Sequence, residues 1–109
     1  MSNPSDIGVV LNRLFDTIEG RKDADEKTSY TAQLLHAGAA RCAQKFGEEA
    51  VEAAIAGAMG DKKALTEEAA DVLYHLLVLL SVSGLSLEDI ASGLASREGV
   101  SGHEEKAAR

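Results

Sequence analysis

The sequence predicts an all-α fold, and three observations predict it: apolar residues recur at three- and four-residue intervals, alanine and leucine are abundant, and the chain holds a single proline. Ala and Leu lose little side-chain freedom in a helix, whereas proline interrupts one. A length of 109 residues fits one small domain with a modest core. With 45% apolar residues but only 4% aromatics, that core must be built from Leu, Val, Ile and Ala. The expectation is a bundle of antiparallel helices over residues 1–96 and a polar tail over 97–109.

The elements follow in order. Ser5 or Asp6 can cap a first helix over about 7–18, whose apolar stripe is Ile7, Val10, Leu11, Leu14, Phe15 and Ile18. The charged stretch EGRKDADEKT, residues 19–28, reads as a solvated loop. A short helix over about 29–35 is ended by Gly38. A long helix over about 39–59 presents Ala43, Phe46, Ala50, Val51 and Ile55 as its packing side. Gly60, Asp61, Lys62 and Lys63 form a turn that sends the chain back, and another long helix covers about 64–82. From Val72 to Val82 this helix is apolar nearly all round, which calls for burial on more than one side. In so small a chain a second copy of itself can supply that cover, so a homodimer is expected. Gly84 suits a helix end, and Ser86 with Asp89 starts a capping box for a last helix to about Ala95. The remainder, REGVSGHEEKAAR, has no apolar period.

Composition excludes several classes. A net charge of −7 and a pI near 4.8 argue against nucleic acid, because phosphate backbones want a basic field. The lone cysteine, Cys42, cannot make an intrachain disulfide and is expected as filler on a buried helix face. The longest apolar run, VLYHLLVLLSV, is shorter than the roughly 20 residues a membrane span needs. MSNPSDIG lacks the basic-then-apolar order of a signal peptide. A cytoplasmic protein without a membrane partner is the expectation.

The chemistry is concentrated in GEEAVEA, residues 47–53, and TEEAADV, residues 66–72. Each sets two adjacent acids and a third three residues on: Glu48, Glu49 and Glu52, then Glu67, Glu68 and Asp71. Like charges four apart destabilise an isolated helix by about 0.2–0.5 kcal/mol, and Glu48 with Glu52 and Glu67 with Asp71 are so spaced. Acidic helix faces are usually solvated, but faces built for stability interleave both signs, and these do not. Glu49 lies about eleven residues before the turn and Glu68 about seven after it, a height difference of roughly 6 Å at 1.5 Å per residue. The two acid faces can therefore meet across the helix pair. There they repel unless a cation lies between them. Oxygen-only ligands select Mg²⁺, Mn²⁺ or Ca²⁺ over zinc. A bundle di-iron site wants Glu-x-x-His, and none of His36, His75 and His103 stands three residues after a Glu.

Glu49-x-x-Glu52, a gap, then Glu68-x-x-Asp71 resembles the signature of the MazG-like all-α nucleoside triphosphate pyrophosphohydrolases. The longer string KFGEEAVEAAIAGAMGDKKALTEEAADVLYHLLVLLSVSGLSLEDI is similar to the phosphoribosyl-ATP pyrophosphohydrolases of histidine biosynthesis, and SYTAQLL and REGVSGHEEKAAR extend the resemblance over nearly the whole chain. The resemblance implies hydrolysis of phosphoribosyl-ATP to phosphoribosyl-AMP and pyrophosphate with Mg²⁺, for which Mn²⁺ can substitute, by a cytoplasmic homodimer. Carried over by position, it makes Glu49, Glu52, Glu68 and Asp71 metal ligands and catalytic residues, with Glu48 a further ligand or the base; Glu67 is not required. At Gln33 the chain departs from the family, which often has Lys or Arg there, so no phosphate contact is carried over to that position.

An acidic chain that holds an anionic substrate needs local cations. Lys45, one turn before Glu49, can contact phosphate or pair with Glu48 or Glu49. Lys62 and Lys63 are expected to face solvent from the turn. Arg97, Lys106 and Arg109 can form a phosphate clamp in the tail. His75, one turn after Asp71, fits a hydrogen-bonded core position better than a role beside the metal. Two rival readings share the acid signature: a housekeeping pyrophosphohydrolase of other nucleoside triphosphates, and a non-catalytic helical dimer that binds a divalent cation.

Overall fold

The computed structural model describes residues 5–99, which form five α-helices and no strand: α1 Ile7–Glu19, α2 Tyr30–Ala37, α3 Ala39–Ala58, α4 Lys62–Val82 and α5 Leu87–Ala95. Helix starts follow their caps. Asp6 accepts from the amides of Gly8 and Val9 at 2.8 and 3.2 Å, which begins α1. Ser29 is the cap of α2, accepting from the Ala32 amide at 3.1 Å, so the helix starts one residue later than the apolar pattern suggests. Gly38 alone joins α2 to α3, at φ 95, a left-handed conformation open to glycine at little cost. Ser86 and Asp89 complete a reciprocal capping box before α5.

The α3–α4 connection is tighter than its composition suggests. Lys62 and Lys63 are not in the turn. They belong to the first turn of α4, because the Asp61 side chain accepts the Ala64 amide at 3.0 Å and caps the helix there. Only Met59, Gly60 and Asp61 reverse the chain, with Gly60 at φ 71. The hairpin that results is antiparallel and is the main body of the fold; α1 and α2 pack across it.

The core gathers Phe15, Ile18, Leu34, Leu35, Cys42, Leu77, Val78 and Leu80. Cys42 is filler, as expected, its thiol donating to the Leu34 carbonyl at 3.2 Å. The packing side of α3 differs from the expected one. Cys42, Phe46, Glu49, Ala53 and Ala56 are its buried or half-buried stripe, whereas Ala43, Val51 and Ile55 are exposed. The sequence pattern misleads here because an acid, Glu49, occupies a seam position between Phe46 and Ala53. Val51, Ile55 and Met59, at four-residue spacing, leave an apolar strip on the outside of α3, with Met59 78% exposed. No residue of α5 is buried, although Leu87 and Ile90 lean on the core. Among the described residues, no single helix is long and apolar enough to cross a membrane.

Candidate active site

The tight turn sets the register of the acids. Glu49 stands nine residues before the end of α3 and Asp71 nine after the start of α4; Glu52 and Glu68 stand six from the same ends. Each pair is therefore level across the hairpin. Carboxylate oxygens of Glu49, Glu68 and Asp71 lie within 4.8 Å of one another. Glu49 and Glu68 are half-buried and Asp71 is exposed, so the group opens from the seam toward solvent.

Electrostatics show what the gathering costs. Burial, then a hydrogen bond to Glu52, then the charges of Glu52, Glu49 and Asp71 push the Glu68 carboxyl above the ordinary glutamate range. Glu49 is pushed the same way, by burial first and Glu52 next, with Lys45 opposing. Glu52 thus borders both, although it is not one of the close trio. The Oε2 atom of Glu68 is buried and has no hydrogen-bond partner. A buried orphan acceptor inside a like-charged trio is an arrangement that a cation would complete. Oxygens around an octahedral Mg²⁺ stand about 3–4 Å apart, close to the observed spread, and the donors are oxygen only. The residues present fit a hard divalent cation.

The remaining candidates sit as follows. Glu48 is exposed and turned to its own helix, accepting from Gln44 Nε2 at 3.2 Å and from Lys45 Nζ at 3.3 Å. Lys45 also lies 3.9 Å from Glu49, which makes it the cation nearest the trio among the described residues. Glu67 is exposed and outside the trio. His75 is a core residue, 6% exposed, but its Nδ1 lacks the hydrogen bond expected of it. Its ring packs edge-on against Tyr74 at 5.0 Å, and burial together with Lys45 pushes its pKa down. Arg97 lines a cleft of about 260 Å³ with Asp89, Ile90, Gly93 and Leu94. Lys106 and Arg109 lie outside the described residues.

The sequence left one tie unread. Thr31 Oγ1 and the Tyr74 hydroxyl are 2.6 Å apart, fastening the start of α2 to α4 one turn beyond Asp71. Nothing in the spacing of residues 43 apart signals such a contact.

Comparison with known proteins places this geometry. Residues 11–98 match the phosphoribosyl-ATP pyrophosphohydrolase family. The chain belongs to that family. Its relatives include proteins named phosphoribosyl-ATP pyrophosphatase from Paracoccus denitrificans (strain Pd 1222), 54% identical over all of this chain and 99% of the relative. Another, from Jannaschia sp. (strain CCS1), is 57% identical over 91% of this chain and 97% of its own length. A third, from Azospirillum brasilense, is 54% identical over 92% and 90%. The family match spans all five helices except the start of α1, and so includes Glu48, Glu49, Glu52, Glu67, Glu68 and Asp71.

Proposed function

We propose that the chain hydrolyses phosphoribosyl-ATP at its α–β anhydride, giving phosphoribosyl-AMP and pyrophosphate in histidine biosynthesis, and that Glu49, Glu52, Glu68 and Asp71 hold the Mg²⁺ the reaction uses. The observation that carries this reading is the trio of Glu49, Glu68 and Asp71 in the α3–α4 seam. A family relationship of this extent supports the substrate.

These acids would hold a divalent cation, which would neutralise phosphate charge and support the leaving group. The chain's own groups divide the remaining work. The seam acids, coming from two helices at once, would hold such a cation against drift along either. Lys45, already at the edge of the trio, can turn its ammonium from Glu49 to a phosphate oxygen. Glu48, exposed on the same helix and outside the trio, is the carboxylate we assign to orient the attacking water and take its proton. Water supplies the oxygen that replaces the bridging one, and pyrophosphate leaves with the electron pair of the broken P–O bond. Arg97, Lys106 and Arg109 belong to this proposal as tail contacts to phosphate. Mn²⁺, with the same ligand preference, should substitute.

A homodimer and a cytoplasmic location complete the reading. The exposed strip of Val51, Ile55 and Met59 supports the first, since a second copy laid on α3 would remove it from water. Biosynthesis of this kind and the lack of a long apolar helix among the described residues accord with the second.

Purified protein with Mg²⁺ is expected to release pyrophosphate from phosphoribosyl-ATP, little from dUTP and none after chelation. Equal release from dUTP would favour a housekeeping pyrophosphohydrolase. Cation binding with no release from either nucleotide would favour a non-catalytic helical dimer, and direct release of orthophosphate would overturn the bond assignment.

A further inference from the structure

We propose that Tyr30 is a specificity-determining residue of this site, its ring forming the surface on which the purine of the nucleotide stacks while the triphosphate lies over the α3–α4 acids. The inference rests on the proposed reaction and adds to it the residue that meets the nucleoside.

The hairpin orders the groups by height. Glu52 with Glu68 and Glu49 with Asp71 occupy two successive levels, and Lys45 and His75, each thirteen residues from its helix end at the turn, occupy the next. The Thr31–Tyr74 contact of 2.6 Å pins the start of α2 at this third level. Tyr30 is the residue before Thr31, so its position is fixed by the same contact. Its hydroxyl is among the groups that act electrostatically on Lys45 and on Tyr74. Anionic phosphates bound to the acid levels through a cation would reach Lys45 at one end, and Tyr30 is the exposed aromatic residue at the start of the helix held at that level.

The ring is available. Tyr30 is 53% exposed, whereas Ala32, Leu34 and Leu35 of the same helix are buried. The chain has two tyrosines, two phenylalanines and no tryptophan. Phe15 is in the core, Phe46 is half-buried in the packing stripe of α3, and Tyr74 is committed to Thr31 and His75. Tyr30 is therefore the aromatic face most open to a ligand near the acids. Every purine presents a π-face that such a ring can cover. The phenol also tolerates the neighbouring ammonium, and its exposed edge can donate to a ribose hydroxyl.

Two measurements on the full chain with Mg²⁺ test this. In steady-state turnover of phosphoribosyl-ATP, Tyr30→Ala should raise KM about tenfold with kcat within about threefold, and Tyr30→Phe, which keeps the ring, should recover most of the loss. In a binding titration with AMP, tyrosine emission should be quenched in wild type, and the quenching should be lost in Tyr30→Phe although Tyr74 still emits. Unchanged KM in Tyr30→Ala beside an active wild type, or equal quenching in Tyr30→Phe, would overturn the inference and leave the reaction standing. A wild type that releases no pyrophosphate would sink the reaction, and the AMP titration would still decide whether Tyr30 meets a nucleotide. If Tyr30→Ala instead changes sedimentation while KM holds, the ring belongs to a contact between copies and the inference fails.

Discussion

Glu68 is where the conflict between folding and chemistry is sharpest. It occupies a seam position, with Ala64 before it and Val72 after it at helical spacing, yet it brings a carboxylate with one oxygen buried and unpartnered. Its pKa and that of Glu49 are raised, which means that each binds its proton more tightly folded than unfolded. Their contribution to stability is therefore fully present below the ordinary value of 4.5 and is lost as pH rises through the raised one. Glu68→Gln removes that dependence while keeping the shape. In cation-free protein the variant should melt at or above the wild-type temperature at pH 7, and the gap should shrink toward pH 4.5. Added Mg²⁺ should reverse the order, raising the wild-type melting temperature and leaving the variant's unchanged, while turnover falls in parallel. A gap that ignores both pH and Mg²⁺ would mean that the acids are an ordinary solvated face. His75 titrates in the opposite sense: burial lowers its pKa, so its contribution is present above the ordinary 6.5 and is lost as pH falls through the lowered value. The imidazole signals in NMR should show His75 titrating below His36, whose hydrogen bond with the Lys22 carbonyl holds its pKa above the ordinary range.

At the level of elements, caps and turns decide where the acids meet. Spacing alone placed them on two successive helices, and the level pairing then came from a turn three residues long, capped by Asp61. That cap was concealed by two lysines that read as turn residues. The seam face of α3 was concealed by its alanines, which pattern equally well on either side, and by Glu49 standing where an apolar residue is usual. Glu48 has the same spacing as its neighbours but is drawn aside by Lys45, a local pairing that no periodicity resolves. Asp61→Ala should cost about 1 kcal/mol, within a range of about 0.5–2 for lost N-caps, seen as a lower urea midpoint at constant slope. An unchanged midpoint would show that the turn is held by packing and not by its cap. Tyr74→Phe tests the other tie: loss of the Thr31 contact should destabilise by about 0.5–1.5 kcal/mol.

For the whole molecule, the open question of the sequence was what covers an α4 that is apolar nearly all round. The answer is partly α1 and α2, which bury Leu77, Val78 and Leu80 from one side. Ile7, Leu65, Leu85 and Leu94 are also uncovered, but a strip of uncovered apolar residues lies on α3, at Val51 and Ile55, where the pattern had placed the packing side, and at Met59. If a second copy docks there, replacing Ile55 with Gln and Met59 with Lys should leave helix content intact and shift sedimentation toward a single chain. Unaltered sedimentation would remove this strip from the interface. With a second copy docked there, one helix would carry both the docking strip and two of the acids, Glu49 and Glu52, and this arrangement has a kinetic corollary. Assembly through this strip would couple to turnover, because any loosening of α3 in a lone chain would slacken half the carboxylates. Activity per chain should accordingly fall when the protein is diluted, following the fraction of paired chains, and recover on reconcentration.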